Sequence, residues 1–194
     1  MNLHTARIAA KEEDGTAHVQ NNLKTSCFEY MASIITSLVA VVILFTLFFR
    51  IVTVFGPSML PTLQSGDHVV LFCWNYQPQH DDVVVITQTA QYDKPIIKRV
   101  IALENEAVDI DFKTGIISVN GKPLEESDYL KRGVTHSDFT FPLTVPKGHV
   151  FVLGDNRSVS NDSRYSDIGM IDERYILGKA QCVLFPFDRL GAIN

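Results

Sequence analysis

Residues 31–49 read MASIITSLVAVVILFTLFF, and this uncharged stretch divides the chain into two unlike parts. An apolar stretch of about 18 residues or more is long enough to cross a bilayer as a helix. We therefore predict a transmembrane helix over residues 31–50. A cleaved signal peptide is the alternative, but about thirty residues precede the stretch and no small-residue cleavage site follows it. A permanent single-pass anchor is the favoured interpretation.

The segment before this stretch, residues 1–30, is polar and of mixed charge. It sustains no hydrophobic period, so we expect a flexible tail there. Lys24 lies on one side of the apolar stretch and Arg50 on the other. The positive-inside rule therefore leaves the orientation of the helix open.

After the apolar stretch, residues 51–194 change to short runs rich in β-branched and aromatic residues, separated by turn signals such as SGD at 65–67 and NG at 120–121. This pattern is typical of an all-β domain, barrel-like or sandwich-like. Residues 123–147 are the least regular, and we predict an irregular insertion there. The predicted strands are residues 52–55, 68–72, 83–87, 96–102, 107–110, 116–119 and 150–153.

Charge and cysteine content exclude some classes of protein. The formal net charge of −5 provides no basic field, so nucleic-acid binding has no electrostatic support. Cys27, Cys73 and Cys182 show no CxxC spacing and are odd in number, so they predict neither a metal site nor a disulfide framework. A Cys73–Cys182 disulfide could form if the domain lies outside the cytoplasm, but free thiols are the favoured interpretation.

Residues 54–63, VFGPSMLPTL, hold Ser58 between Pro57 and Pro61. Proline fixes its own φ and restricts the residue before it, while Gly56 permits backbone angles that other residues avoid. A serine in this setting is held in one geometry, which suits a nucleophile. It equally suits an ordinary turn, and local pattern alone favours the turn.

A lysine interrupts the apolar run IIKRVIA at residues 96–102. Side chains alternate along a strand, so Lys98 shares its face with Ile96 and Val100. Burial would lower the pKa of Lys98 by disfavouring the ammonium form, and a neutral amine is a usable general base. The alternative is that Lys98 extends to the surface with its stem on the apolar face.

Residues 154–164, GDNRSVSNDSR, follow a predicted strand and are dense in hydrogen-bonding groups. Ser160 could hold a neutral lysine amine by a hydrogen bond. The charged side chains could form ion pairs that brace the segment. A polar surface loop is the alternative. The candidate bracing residues are Asp155, Arg157, Asp162 and Arg164.

Together with the apolar stretch, these segments resemble the bacterial type I signal peptidases, which are membrane-bound Ser/Lys endopeptidases. Residues 58–63 match the family's SMxPTL box, and residues 66–70 match its GDxVx strand. Residues 98–100 match the lysine box, and residues 154–164 match GDNRxxSxDSR. The resemblance covers about residues 30–190, in the family's order, and outweighs the local alternatives. The short stretch before the last box is similar to the smaller, single-anchor members.

The resemblance implies that Ser58 is the nucleophile and that neutral Lys98 is its general base. The backbone N–H of Ser58 would contribute to an oxyanion hole. Some relatives add a serine hydroxyl two residues before the nucleophile, where this chain has Gly56, and Pro57 lacks an N–H. The second donor is therefore unassigned. Supporting roles are implied for Ser160, which would orient the Lys98 amine, and for Asp155, Asp162 and Arg164.

The resemblance also implies the substrate and the location. Substrates would be secretory preproteins whose signal peptides carry small residues at positions −1 and −3 and bind as an extended strand. The lipid bilayer is the other expected partner, with residues 1–30 in the cytoplasm and residues 51–194 on the extracytoplasmic side of the cell membrane. No cofactor and no metal are implied. The positions that match the family's shallow pockets are Val54, Met59, Leu63 and Ile97.

Other functions stay open from sequence. One is a signal peptidase relative dedicated to pilin-like substrates. Another is a non-catalytic, membrane-tethered β-domain, which the presence of both serine and lysine disfavours. A Ser/His/Asp hydrolase would have to use His68 or His149, which lie beside the boxes, and the chain has no GxSxG elbow.

Overall fold

The computed structural model describes residues 28–89, 94–124 and 136–193. The chain divides into two compact units, residues 1–47 and residues 48–194. In the described part, the structure has one long helix near the N-terminus and twelve short strands. The predicted all-β domain with one N-terminal apolar helix is confirmed.

The helix, α1, runs from Phe28 to Phe48 and is long and apolar enough to cross a membrane. Its 21 residues span about 30 Å at 1.5 Å per residue, which matches the hydrocarbon core of a bilayer. Two hydroxyls inside it, those of Thr36 and Ser37, donate to carbonyls one turn earlier, so they are satisfied without water.

The bounds of α1 differ from the predicted residues 31–50. The helix begins three residues earlier and ends at Phe48. Phe49 and Arg50 instead belong to the first strand, where they pair with Phe72 and Leu71. Tertiary pairing therefore ends the helix, although the apolar composition continues through Phe49.

The strands form two antiparallel sheets. The larger has the order β1-β2-β11-β3-β4-β9-β10, with β12 paired to β11, and the smaller has the order β7-β6-β5-β8. The larger sheet comprises β1 (Phe49–Thr53), β2 (His68–Phe72), β3 (Val83–Ile86), β4 (Ile96–Ala102), β9 (His149–Leu153), β10 (Ile171–Asp172), β11 (Ile176–Phe185) and β12 (Gly191–Ala192). The smaller comprises β5 (Ala107–Asp111), β6 (Ile116–Val119), β7 (Lys122–Pro123) and β8 (Leu143–Thr144).

Each of the seven predicted strands overlaps an observed one, but the longest strand, β11, was not predicted. Its sequence ILGKAQCVLF has no clean alternation, because Gly178, Lys179 and Gln181 interrupt the apolar residues. The structure explains this, since register shifts interrupt the pairing of β11 with both β2 and β3. Each such irregularity changes the face to which the following side chains point and bends the strand.

The predicted irregular insertion, residues 123–147, is only partly described. Residues 125–135 lie outside the described residues. On either side of them, Pro123 belongs to β7 and Leu143–Thr144 form β8, so both ends of the segment join the smaller sheet. Two-residue strands of this kind carry too little sequence pattern to be predicted.

The core cluster that positions the candidate site lies in the larger sheet. It joins side chains of β2, β3, β4 and β11 to those of residues 54–63, the segment that carries Ser58. Packing against the sheet holds this segment in place. The buried members from the segment are Val54, Met59 and Leu63, and those from the strands include Val69, Leu71, Val85, Ile97 and Val183.

Candidate active site

Ser58 lies in a tight turn, which we call the Ser58 turn (residues 54–63). Within it, Leu60 N donates to Pro57 O at 3.2 Å and Leu63 N donates to Met59 O at 2.9 Å. Gly56 has φ +86°, a left-handed angle that favours glycine. The turn interpretation of the sequence is thus correct as local structure, and it is compatible with a reactive serine held in one geometry.

Lys98 reaches this serine from the middle of β4. Its Nζ donates to Ser58 Oγ at 3.1 Å, and the lysine is 4% exposed. The alternative in which Lys98 extends to solvent is therefore wrong. In a neutral lysine the same contact lets the Ser58 hydroxyl donate to Nζ, which is the geometry that general-base catalysis requires.

Burial has a direct effect on the charge of Lys98. Removal of the ammonium group from water lowers the pKa of Lys98 from 10.5 to about 8. Asp162 and Asp155 act against this lowering, because their carboxylates favour the charged form, while Arg164 adds to it. The neutral fraction of Lys98 near physiological pH is therefore far larger than that of an ordinary lysine.

An ion pair connects the Ser58 turn, β4 and the segment of residues 154–164, which we call the polar loop. Arg99 donates to both oxygens of Asp155, through Nε at 2.8 Å and Nη2 at 2.7 Å, and both residues are buried. Thr62 of the Ser58 turn donates to the same carboxylate. A third guanidinium nitrogen of Arg99 donates to Asp81 O at 2.7 Å. The Asp155 carboxylate thus contacts both other segments, and its supporting role in the site stays a prediction.

A second ion pair closes the polar loop on itself. Arg164 Nε donates to Asp162 Oδ1 at 2.8 Å, and both side chains are fully buried. Arg164 also donates to the carbonyl of Arg157 at 2.8 Å. Asp162 in turn accepts from Gly154 N at 3.1 Å. These contacts fix the shape of the loop, and the supporting roles expected of Asp162 and Arg164 in the site stay predictions.

Ser160 is buried in the polar loop, close to the Ser58 turn. A Cβ added to Gly154 would overlap both Ser160 Oγ and the carbonyl oxygen of Ser58, so glycine alone permits this close approach. The hydroxyl of Ser160 donates to Asn161 O at 3.5 Å. Within the described residues, no hydrogen bond joins Ser160 to Lys98, so its expected role in orienting the amine stays a prediction.

A groove of about 710 Å³ runs beside Ser58. Its walls are residues 52–55, at the end of β1, and residues 94–98, at the start of β4, and Val85 also lines it. Val54 and Ile97 line the groove, and their role in substrate binding stays a prediction. Met59 and Leu63 are 1% and 0% exposed, belong to the core cluster and are not among the residues that line the groove.

The histidines and cysteines of the described chain do not contribute to this site. The Nδ1 atoms of His68 and His149 lie 3.0 Å from the carbonyls of Gly66 and Lys147, and neither ring forms a hydrogen bond with Ser58 within the described residues. Cys73 and Cys182 are free thiols, as favoured from sequence. Among the described residues, no cluster of His, Cys, Asp or Glu could hold a metal ion.

The pattern of one protein family, described as "Signal peptidase, peptidase S26", matches residues 27–185. The chain belongs to this family. The resemblance inferred from the sequence boxes is thereby confirmed, and the chain is a peptidase of the signal peptidase type.

Two named relatives agree with this assignment. The signal peptidase I of Bacillus licheniformis is 31% identical over 90% of this chain and 97% of its own length. The signal peptidase IB of Staphylococcus aureus strain Mu50 is 36% identical over 82% of this chain and 91% of its own length. A crystal structure of a signal peptidase I from Enterococcus faecalis V583 aligns with a TM-score of 0.43 and 31% identity, covering 54% of this chain and 97% of that chain.

Several residues of the candidate site were not singled out from the sequence. Arg99 and Thr62 share the Asp155 carboxylate, and Asn156 contacts the backbone on both sides of Ser58. All three lie inside the matched boxes. Their partners, however, are separated from them by 56 to 99 residues, so the spacing within a box carries no signal for these contacts.

Proposed function

We propose that this protein is a membrane-bound serine endopeptidase that removes signal peptides from secreted preproteins, with Ser58 as nucleophile and Lys98 as general base. The observation that carries the proposal is the 3.1 Å contact between Ser58 Oγ and the buried Nζ of Lys98. A lysine whose pKa is lowered to about 8 supplies a neutral amine next to the serine hydroxyl.

Acylation begins when Ser58 Oγ attacks the scissile carbonyl carbon, and the hydroxyl proton moves to Lys98 Nζ. The backbone N–H of Ser58 stabilises the negative charge that develops on the carbonyl oxygen. When the C–N bond breaks, the Lys98 ammonium donates its proton to the leaving amine. An ester between Ser58 and the signal peptide remains.

Deacylation repeats these roles with water. Neutral Lys98 accepts a proton from a water molecule, whose oxygen attacks the ester carbonyl. The C–O bond to Ser58 then breaks, and the serine oxygen recovers its proton from Lys98. The cleaved signal peptide leaves with a free carboxylate, and both side chains return to their starting states.

The groove beside Ser58 supports an extended peptide as substrate. Its two walls are strand segments, and such walls bind a peptide through its backbone and select alternate side chains. Val54 and Ile97 narrow the groove with branched side chains. We infer a preference for small residues at positions −1 and −3 of the signal peptide.

The N-terminal helix supports the proposed location. We infer that α1 is a single-pass anchor in the lipid bilayer of the cell membrane, that the tail is cytoplasmic and that the β-domain is extracytoplasmic. Ser58 is the tenth residue after the helix ends at Phe48, so the chain between them can extend to at most about 35 Å. The anchor therefore keeps the serine near the membrane.

The proposed function is tested by cleavage of a preprotein with an Ala-x-Ala site in lipid vesicles. We expect the wild-type protein to release the mature protein, and Ser58→Ala and Lys98→Ala to be inactive. The controls His68→Ala and His149→Ala should retain activity. Cleavage by Ser58→Ala, or loss of activity in a histidine variant that still folds, would exclude the Ser/Lys mechanism. A wild-type protein that cleaves no such preprotein would favour the relative dedicated to pilin-like substrates or the non-catalytic β-domain.

A further inference from the structure

Asn156 of the polar loop holds the backbone on both sides of Ser58. Its side-chain Nδ2 donates to Pro57 O at 3.2 Å. Its backbone N–H donates to Ser58 O at 2.9 Å. One residue therefore fixes the carbonyls of both peptide groups that flank the α-carbon of the serine.

The amide of Asn156 is itself oriented. Ser158 Oγ donates to Asn156 Oδ1 at 2.9 Å, so the oxygen of the amide faces Ser158 and its NH₂ group faces Pro57. A side chain with hydrogen bonds at both ends has one favoured position. It therefore acts as a fixed donor toward the Ser58 turn.

The hydrogen bond to Pro57 O also constrains the N–H of Ser58. These two groups belong to one planar trans peptide, in which C=O and N–H point in opposite directions. A hydrogen bond to Pro57 O therefore fixes the plane of the Pro57–Ser58 peptide. It also polarises the N–H of Ser58 at the other end of that peptide. Within the described residues, Ser58 N–H has no hydrogen-bond acceptor, so it is available to a substrate oxygen.

We propose that Asn156 is a positioning residue, which aims and strengthens the Ser58 N–H as an oxyanion donor. The inference rests on the proposed peptidase function. Leu60 N also donates to Pro57 O, at 3.2 Å, and this bond persists when the Asn156 side chain is removed. Loss of Asn156 therefore weakens the oxyanion donor without removing it.

The test is a kinetic comparison of wild type and Asn156→Ala on a signal-peptide substrate. We expect kcat to fall about 10- to 100-fold with KM within twofold of wild type, because loss of one complete oxyanion donor lowers kcat by about 10²–10³. Affinity for a peptide aldehyde should fall in parallel, since addition of Ser58 Oγ to the aldehyde places an oxyanion at this donor. Affinity for a non-reactive analogue of the same peptide should not change.

Two further variants control for loss of structure. Asn161→Ala removes an amide from the same loop whose Nδ2 donates to Asp167 at 2.6 Å, and we expect kcat near that of wild type. Asn156→Asp keeps the shape of the side chain but has no NH₂ donor, and kcat should fall at least as far as in Asn156→Ala. The melting temperatures of the Asn161→Ala and Asn156→Asp proteins should lie within a few degrees of that of the wild-type protein.

The outcomes separate this inference from the proposed function. If cleavage depends on Ser58 but Asn156→Ala and Asn156→Asp keep the wild-type kcat and aldehyde affinity, the role of Asn156 is excluded and the function stands. It is equally excluded if both variants raise KM without lowering kcat. If cleavage does not depend on Ser58, the proposed function itself fails.

Discussion

Lys98 lies where its charged form is disfavoured, and the general-base role that we propose for it rests on that position. Lys98 extends from β4, a strand whose side chains are buried on both faces, and its Nζ lies 3.1 Å from Ser58 Oγ. Arg99, the next residue, points to the opposite face and is paired with Asp155. Of these two adjacent basic residues, Arg99 has a carboxylate partner, whereas burial lowers the pKa of Lys98.

The rate of cleavage should depend on pH through Lys98. With a pKa of about 8, roughly 1% of the lysine is neutral at pH 6 and about half at pH 8. Only the neutral amine accepts the serine proton, so kcat/KM should rise about tenfold per pH unit below 8 and level off above it. The measurement is kcat/KM on a soluble signal peptide between pH 5.5 and 9.5.

A direct titration of Lys98 tests whether this lysine causes the pH dependence of kcat/KM. The Nζ resonance of Lys98, identified by its absence in Lys98→Met, should titrate near pH 8 when followed by NMR in the Ser58→Ala protein. A rate that does not change between pH 6 and 8, or a lysine that titrates near its ordinary pKa of about 10.4, would contradict the role of general base.

At the scale of elements, the site depends on a buried brace shared by three segments. The carboxylate of Asp155 in the polar loop accepts hydrogen bonds from Arg99 of β4 and from Thr62 of the Ser58 turn. Removal of one partner from a buried ion pair leaves the other charge uncompensated and costs about 3–5 kcal/mol. We expect Asp155→Asn to lower the free energy of unfolding by an amount in this range, measured by urea denaturation.

Two comparisons make this prediction specific. Asp172 forms an ion pair with Arg174 at 2.6 Å on the surface, and Asp172→Asn should change stability little, because exposed pairs contribute weakly. The double variant Asp155→Asn/Arg99→Met should recover part of the stability lost in Asp155→Asn, since it removes the unpaired charge. If the double variant were less stable than Asp155→Asn, the buried charge would not be the cause.

Sequence patterns predicted the elements better than the contacts between them. The strand β4 was predicted residue for residue, because its apolar run and flanking turns are local signals. β11 was missed because its irregular pairing removes the alternation on which strand prediction depends. The pairing of Ser58 with Lys98 was available only from the family resemblance, since no local pattern relates residues 40 positions apart.

The contacts of the polar loop were predicted only in part. Asp155, Asp162 and Arg164 were expected to brace the site, and each forms a buried ion pair. The partner of Asp155 was not predicted, because Arg99 reaches it only when β4 and the loop are packed together. Packing also decides that Met59 and Leu63 face the core, where pattern matching had assigned them to substrate pockets.

At the scale of the whole molecule, the chain consists of two units that divide at Phe48. Phe48 belongs to the β-domain side, because its carbonyl accepts from Cys73 N at 2.9 Å and its ring packs on Trp74 at 5.0 Å between centroids. The core clusters of the domain are formed by residues from 52 onward. The domain is therefore expected to fold without residues 1–47.

Two truncations test this division. A protein that begins at Phe48 keeps β1 and its five pairs with β2, and it should melt as cooperatively as the full chain. A protein that begins at Val54 loses β1, which exposes an edge of β2 and removes Val52 from the core, so it should melt at a clearly lower temperature. Equal melting temperatures for the two would show that β1 does not stabilise the domain.

The same truncated protein separates chemistry from membrane attachment. The protein that begins at Phe48 retains Ser58, Lys98 and the groove, so its kcat on a short soluble peptide should equal that of the full chain. On a preprotein in vesicles it should be at least about tenfold slower at matched concentration, because the anchor of the full chain makes the encounter effectively intramolecular. If it cleaves the vesicle-bound preprotein as fast as the full chain, α1 does not concentrate the site on its substrate. If the protein that begins at Phe48 still folds but is less active than the full chain on the soluble peptide, residues 1–47 help to shape the groove.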